Sequence, residues 1–124
     1  MNALTATPDL ALLITTPPYG DRDPRAQLDV ALAAAALDRR LELFFLGGGL
    51  LQLVRERDPR CALLTPGYRG WAALPDLAEA RWYAEREALN GLAERGIALL
   101  VPVEPLPASE LARRWRLARH AMVL

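Results

Sequence analysis

The chain has 124 residues, enough for one domain that hides roughly two thirds of its unfolded surface from water and too few for two ordinary ones. Hydrophobic residues make up 52% and charged ones 24%. Fifteen arginines, with no lysine, balance fifteen acids, so no net charge favours nucleic acid or an anionic membrane as a partner.

One cysteine, Cys61, excludes an internal disulfide and any CxxC motif. One histidine, His120, leaves almost no material for a His-based metal site or triad, and the acidic residues are scattered without a recognisable pair. Neither a metal nor a cofactor is therefore expected. The start, MNALTATPDL, lacks the basic flank and apolar core of a signal peptide. No apolar run approaches the roughly 20 residues that span a bilayer, and the cytoplasm is the expected compartment.

Leu10 to Thr15 is continuously apolar up to its threonine and reads as a strand buried on both faces. Pro17-Pro18-Tyr19-Gly20 breaks it. From about Arg25 to Leu37, Leu28, Ala31, Leu32 and Ala35 recur at helical spacing. The alanines from Ala31 to Ala36 favour helix and let it lie close to a sheet or another subunit. Leu41 to Leu46 is the second strand, Gly47-Gly48-Gly49 follows, and Leu50 to Val54 reads as a short helix. Trp71 to Leu74 suggests a helical turn, Ala80 to Ala84 a third strand, and Glu85 to Arg95 a helix with Gly96 in the C-cap position. Ile97 to Val103 is the expected fourth strand. Ser109 is placed to cap a helix whose Leu111, Trp115 and Ala118 share one face, and His120 to Leu124 closes the chain as a strand. Strand and helix alternate throughout, which implies one α/β domain over residues 1–124: a three-layer α/β/α sandwich around a mostly parallel five-stranded sheet.

The glycine triplet admits two readings. It lacks GxGxxG spacing, because Gln52 stands where the third glycine belongs, and it lacks the Lys-Ser/Thr of a P-loop. A tight strand-to-helix turn is favoured over phosphate binding. An anion held by free amides at Gly47, Gly48 and Gly49, or at Tyr19-Gly20, is the alternative. Cys61 has Arg57, Arg60 and Arg69 close in sequence, which would favour a reactive thiolate; as a small hydrophobe opening Ala62-Leu63-Leu64 it has the simpler role. His120 reads as a core or interface residue. Arg113, Arg114, Arg116 and Arg119 read as the solvated face of a helix whose Trp115 is core. Asp21, Arg22, Asp23 and Arg25 form a charged loop at the sheet edge where ligands usually bind. Trp71, Trp82 and Tyr83 are expected as core or interface anchors.

Three stretches carry a resemblance: LLITTPPYGDRDPRAQLDVALAAAAL from Leu12 to Leu37, LELFFLGGGLLQLV from Leu41 to Val54, and VPVEPLPASELARRWRLARHAMVL from Val101 to Leu124. In this order they resemble the DsrE/DsrF/TusC superfamily of small sulfur-relay proteins, in particular its TusC/DsrF-like branch. The resemblance implies a DsrE-like fold and a non-catalytic, structural subunit of a TusBCD- or DsrEFH-type complex. Such a complex serves tRNA 2-thiouridine formation or sulfur oxidation, and the expected partners are TusB- and TusD-like (DsrH- and DsrE-like) subunits, with no membrane and no direct nucleic acid contact. In the DsrE/TusD branch a cysteine just after the third strand carries the persulfide; here Ala84 stands at that position, so no catalytic residue is expected. Two alternatives stay open: a persulfide carrier using Cys61, and a homo-oligomeric module binding a small anion.

Overall fold

The computed structural model describes residues 8–15, 24–37, 40–54, 68–74 and 80–124. Strand β1 (Leu10–Ile14) precedes helix α1 (Pro24–Ala36), β2 (Leu41–Phe45) and two 3-10 helices, Gly47–Leu53 and Tyr68–Ala73. Then come β3 (Ala80–Glu85), α2 (Arg86–Glu94), β4 (Glu104–Leu106), α3 (Ala108–Trp115) and β5 (His120–Val123). The strands form one sheet in the order β4-β3-β2-β1-β5, and every pairing is parallel.

That order explains which face each helix covers. From β1 to β4 the chain steps toward one edge, and right-handed crossovers put every connection on the same face. The step from β4 to β5 crosses the whole sheet the other way, so α3 falls on the opposite face. The α1 face holds Leu12, Ile14, Leu41, Leu43, Phe45, Trp82 and Ala84, covered by α1, the 3-10 helices and α2. The α3 face holds Ala11, Leu13, Phe44 and Tyr83, covered by Leu111 with Trp115 and Ala118.

Alternation along the strands sorts these residues, because successive side chains point to opposite faces. On the α1 face, Phe45 and Trp82 stack with centroids 5.7 Å apart, and Trp71 meets both edge-on at 5.3 and 6.1 Å. Trp71 Nε1 donates to Gln52 Oε1 (3.2 Å), and Gln52 Nε2 donates to Gln27 Oε1 (2.9 Å). Gln27 and Gln52 are both buried. This chain of bonds ties α1 to both 3-10 helices and satisfies polar groups that would otherwise be stranded in the core.

Several expectations need correction. Ile97–Val103 is not the fourth strand. Gly96, at φ +70°, ends α2 with Ile97 N–H bonded to Leu92 O and Gly96 N–H to Ala93 O, the paired bonds of a glycine C-cap. The run beyond it packs against the end of the first 3-10 helix, through a Val54–Leu99 bridge and a bond from Leu100 N–H to Leu53 O. Its apolarity reflects burial of Val101 in the core, not membership of a ladder. Ser109 does not cap α3; the cap position is Pro107, which makes no side-chain bond. The expected helix from Leu50 to Val54 is a 3-10 helix that begins earlier, at Gly47. His120 is exposed, so of its two expected places the core is ruled out, and Trp115 is half-buried.

Candidate functional site

In a parallel sheet, ligands and reactive groups gather at the carboxyl ends of the strands, above all where neighbouring connections leave toward opposite faces. Here that place is the β3/β4 pair: β3 feeds α2 on the α1 face, and β4 feeds α3 on the other. The chain runs Ala84-Glu85-Arg86-Glu87 across the β3–α2 junction. Ala84 is fully buried inside β3, beside Phe45 and Pro105, and the strand continues through Glu85. None of these four positions holds a thiol. Glu87 occupies the first turn of α2, where a helix dipole stabilises negative charge, so a carboxylate takes the electrostatic place a thiolate would use.

At the end of β2 the glycine triplet is built for backbone geometry. Gly47 adopts φ +52°, a left-handed conformation that favours glycine. Gly49 is wedged against β1: a Cβ there would overlap the Ile14 carbonyl oxygen. The same oxygen accepts from Leu46 N–H at 2.9 Å, and Gly49 N–H donates to Leu46 O at 2.9 Å. The Gly49 amide is thus already committed within the turn. Nearby, Thr15 Oγ1 donates to Leu124 O at 2.9 Å, tying the end of β1 to the end of β5.

The most polar arrangement in the interior lies on the α3 face. Glu42 is buried in the middle of β2, and Arg114 of α3 reaches it with both Nε (3.4 Å) and Nη2 (3.1 Å). The Arg114 guanidinium also sits 5.2 Å from the centre of the Tyr83 ring. The hydrogen bond to Glu42 pushes the Arg114 pKa up, keeping it charged at any accessible pH. Burial pushes the Tyr83 phenol up, against an opposing hydrogen bond to Arg81. Phe44 stacks on Tyr83 at 5.3 Å and meets Trp115 edge-on at 5.9 Å, so α3 is held by one ion pair set in aromatic surfaces. This group combines charge with aromatic packing, and it fixes the position of α3 over the sheet. An open cleft of about 370 Å³ at the amino ends of β3 and β4 is lined by Ala80, Arg81, Trp82, Pro102, Val103 and Glu104.

Of the residues singled out in the sequence, Gly47, Gly48 and Gly49 lie at the carboxyl edge, and Ala84 lies one strand away. Tyr19, Gly20 and Cys61 fall outside the described residues, as do Asp21, Arg22 and Asp23. Trp71, Trp82 and Tyr83 are buried anchors. Arg114 does not belong with the solvated arginines. A signal was present: Glu42 interrupts an otherwise apolar strand, and a carboxylate there demands a cationic partner. Among the described residues no group of histidine, cysteine and carboxylate side chains is placed to hold a metal ion. No helix among them is long and apolar enough to cross a membrane.

Comparison with known proteins adds four findings. Residues 9–123 match the DsrE/DsrF-like family. The chain is 33% identical over 119 residues to Protein TusC of Escherichia coli O157:H7, covering 93% of this chain and 96% of that one. It is 27% identical over 119 residues to the Protein TusC homolog of Aliivibrio fischeri, covering 92% and 97%. Among solved structures, the ychN protein from E. coli superposes with a TM-score of 0.69 at 19% identity over 94% of this chain and 99% of that one, a likeness of fold.

Proposed function

The chain belongs to the DsrE/DsrF-like family, and on that premise we propose that it is a TusC-type subunit of a cytoplasmic sulfur-relay complex serving tRNA thiolation. Its work is structural: it shapes an assembly with TusB- and TusD-like subunits, and the sulfur-carrying thiol belongs to a neighbour. The observation that carries this reading is the β3–α2 junction, where Ala84-Glu85-Arg86-Glu87 offers no thiol at the strand ends best suited to one. Likeness to TusC proteins over almost the whole chain supports the same assignment.

Persulfide chemistry needs a thiolate to attack a sulfur donor, so Cys61 is the only residue through which this chain would carry sulfur itself. The test is intact mass after incubation with a cysteine desulfurase and cysteine, for wild type and Cys61→Ser, each alone and with a TusD-like subunit. The expected result is a sulfur adduct on the TusD-like subunit and none on this chain. An adduct on the wild-type chain that disappears in Cys61→Ser would make it a carrier and end the structural reading.

A further inference from the structure

The two edges of the sheet are finished differently. At one, β4 has three residues, Glu104-Pro105-Leu106, and presents an exposed charge and a proline. Both devices discourage another strand from pairing there. At the other, β5 carries His120-Ala121-Met122-Val123, with no proline and no acid or arginine, and Met122 and Val123 are 44% and 67% exposed.

The backbone of β5 is half used. His120 N–H bonds to Asp9 O, Leu124 N–H to Leu13 O, and Leu124 O accepts from Thr15 N–H. In a parallel ladder, alternate residues direct both N–H and C=O to the same side. His120, Met122 and Leu124 therefore face β1, and Ala121 and Val123 direct theirs outward, where no strand among the described residues pairs with them.

Charge tells what kind of strand fits. From Leu111 to Leu124 there are four arginines and no acid. Arg114 is spent on Glu42 and Arg113 on Glu110, whereas Arg116 and Arg119 are exposed and make no ion pair among the described residues. Exposed Leu117 lies between them. A second copy of this chain would set arginines against arginines across a symmetric pairing. Nucleic acid phosphates only accept hydrogen bonds and leave the outward carbonyls unmatched. A peptide strand supplies both donors and acceptors.

We propose that the outer edge of β5 is a docking edge for an extended, acidic, apolar-containing strand of a protein partner, added beside Ala121–Val123 with its carboxylates near Arg116 and Arg119. The geometry of the edge stands by itself; only the choice of TusB- and TusD-like subunits as partners rests on the function proposed above. The test uses Ala121→Pro, which removes an outward N–H and leaves the β1 ladder intact, and the double variant Arg116→Glu/Arg119→Glu. Thermal unfolding first confirms that each variant folds.

Affinity for the co-expressed TusB- and TusD-like subunits is then compared with wild type. Each variant is expected to bind at least about tenfold more weakly, the scale of a lost backbone bond with its stranded partner, and protection of the Ala121 and Val123 amides from exchange appears only in the wild-type complex. Variants that bind as wild type overturn the edge and leave the relay reading standing. If wild type binds neither subunit, the relay reading fails and the labelled peptide Glu-Val-Glu-Val-Glu-Val judges the edge. Saturable binding that weakens with salt and is lost in Ala121→Pro upholds it; no binding overturns it. Self-association, or retention of tRNA, that depends on Ala121 overturns the acidic strand in favour of that occupant.

Discussion

On one face of the sheet, α1, both 3-10 helices and α2 bury a broad apolar layer, cross-linked by the bonds from Trp71 through Gln52 to Gln27. Among the described residues the other face carries only α3, held by a small cluster around Phe44 and Tyr83 and by the Glu42–Arg114 pair. The neutral network is satisfied inside an apolar layer and adds order to burial that already stabilises the fold. The ion pair must recover the cost of taking Glu42 out of water before it contributes anything. The first face is therefore expected to set global stability, and the second to set where one helix sits.

The sharpest way to break this contrast is at the seam of the α1 face. Gly49→Ala drives a Cβ into the Ile14 carbonyl, backbone against backbone, and is expected to cost about 4 kcal/mol or more in urea unfolding. Gly47→Ala, with open space around it, should cost only about 1–2 kcal/mol for its left-handed conformation. Equal losses at the two positions would mean that close approach to β1 is not what selects the glycine.

Next in size is Gln52→Leu, which strands Trp71 Nε1 and Gln27 Oε1 in the core. It should cost about 2–4 kcal/mol, and the loss should appear as a lower midpoint at unchanged slope, the signature of a globally weaker fold.

Arg114→Ala probes the other face. Leaving Glu42 buried and unpaired should cost about 2–3 kcal/mol, less than a wholly buried pair because the Arg114 side chain is 35% exposed. Amides of α3 should exchange faster while those of α1 do not. The double variant Arg114→Met/Glu42→Gln should recover most of the loss. Uniform acceleration across both helices would refute the division between the faces.

The smallest effect is a pH dependence. The Tyr83 phenol is raised above its usual 10.0, so the folded state prefers the neutral form. The resulting stabilisation is complete below pH 10 and is lost as pH rises through the higher folded value. Denaturation midpoints should fall in this alkaline range, and the Tyr83→Phe variant should show less of that decline.

Much of this molecule is readable along the chain. The apolar runs of β1 and β2, the alanine periodicity of α1, the C-cap glycine at Gly96 and the absence of a thiol near Ala84 all follow from local composition, because backbone conformation and burial on a single element depend on neighbours a few residues away. The ordered landmarks from Leu12 to Val54 point to the family for the same reason. Other features depend on which strands become neighbours. Ile97–Val103 has the composition of a strand, yet the ladder position beside β3 goes to Glu104–Leu106. Arg114 looks like its solvated neighbours until α3 is laid over Glu42, 72 positions away in the chain. The strand order β4-β3-β2-β1-β5 assigns three connections to one face and one to the other, and leaves β5 at an edge of the sheet among the described residues. The chain by itself determined most of the elements and their family; tertiary structure decided which run became the fourth strand and how the elements pair, since pairing energies between distant segments are not written in either segment alone.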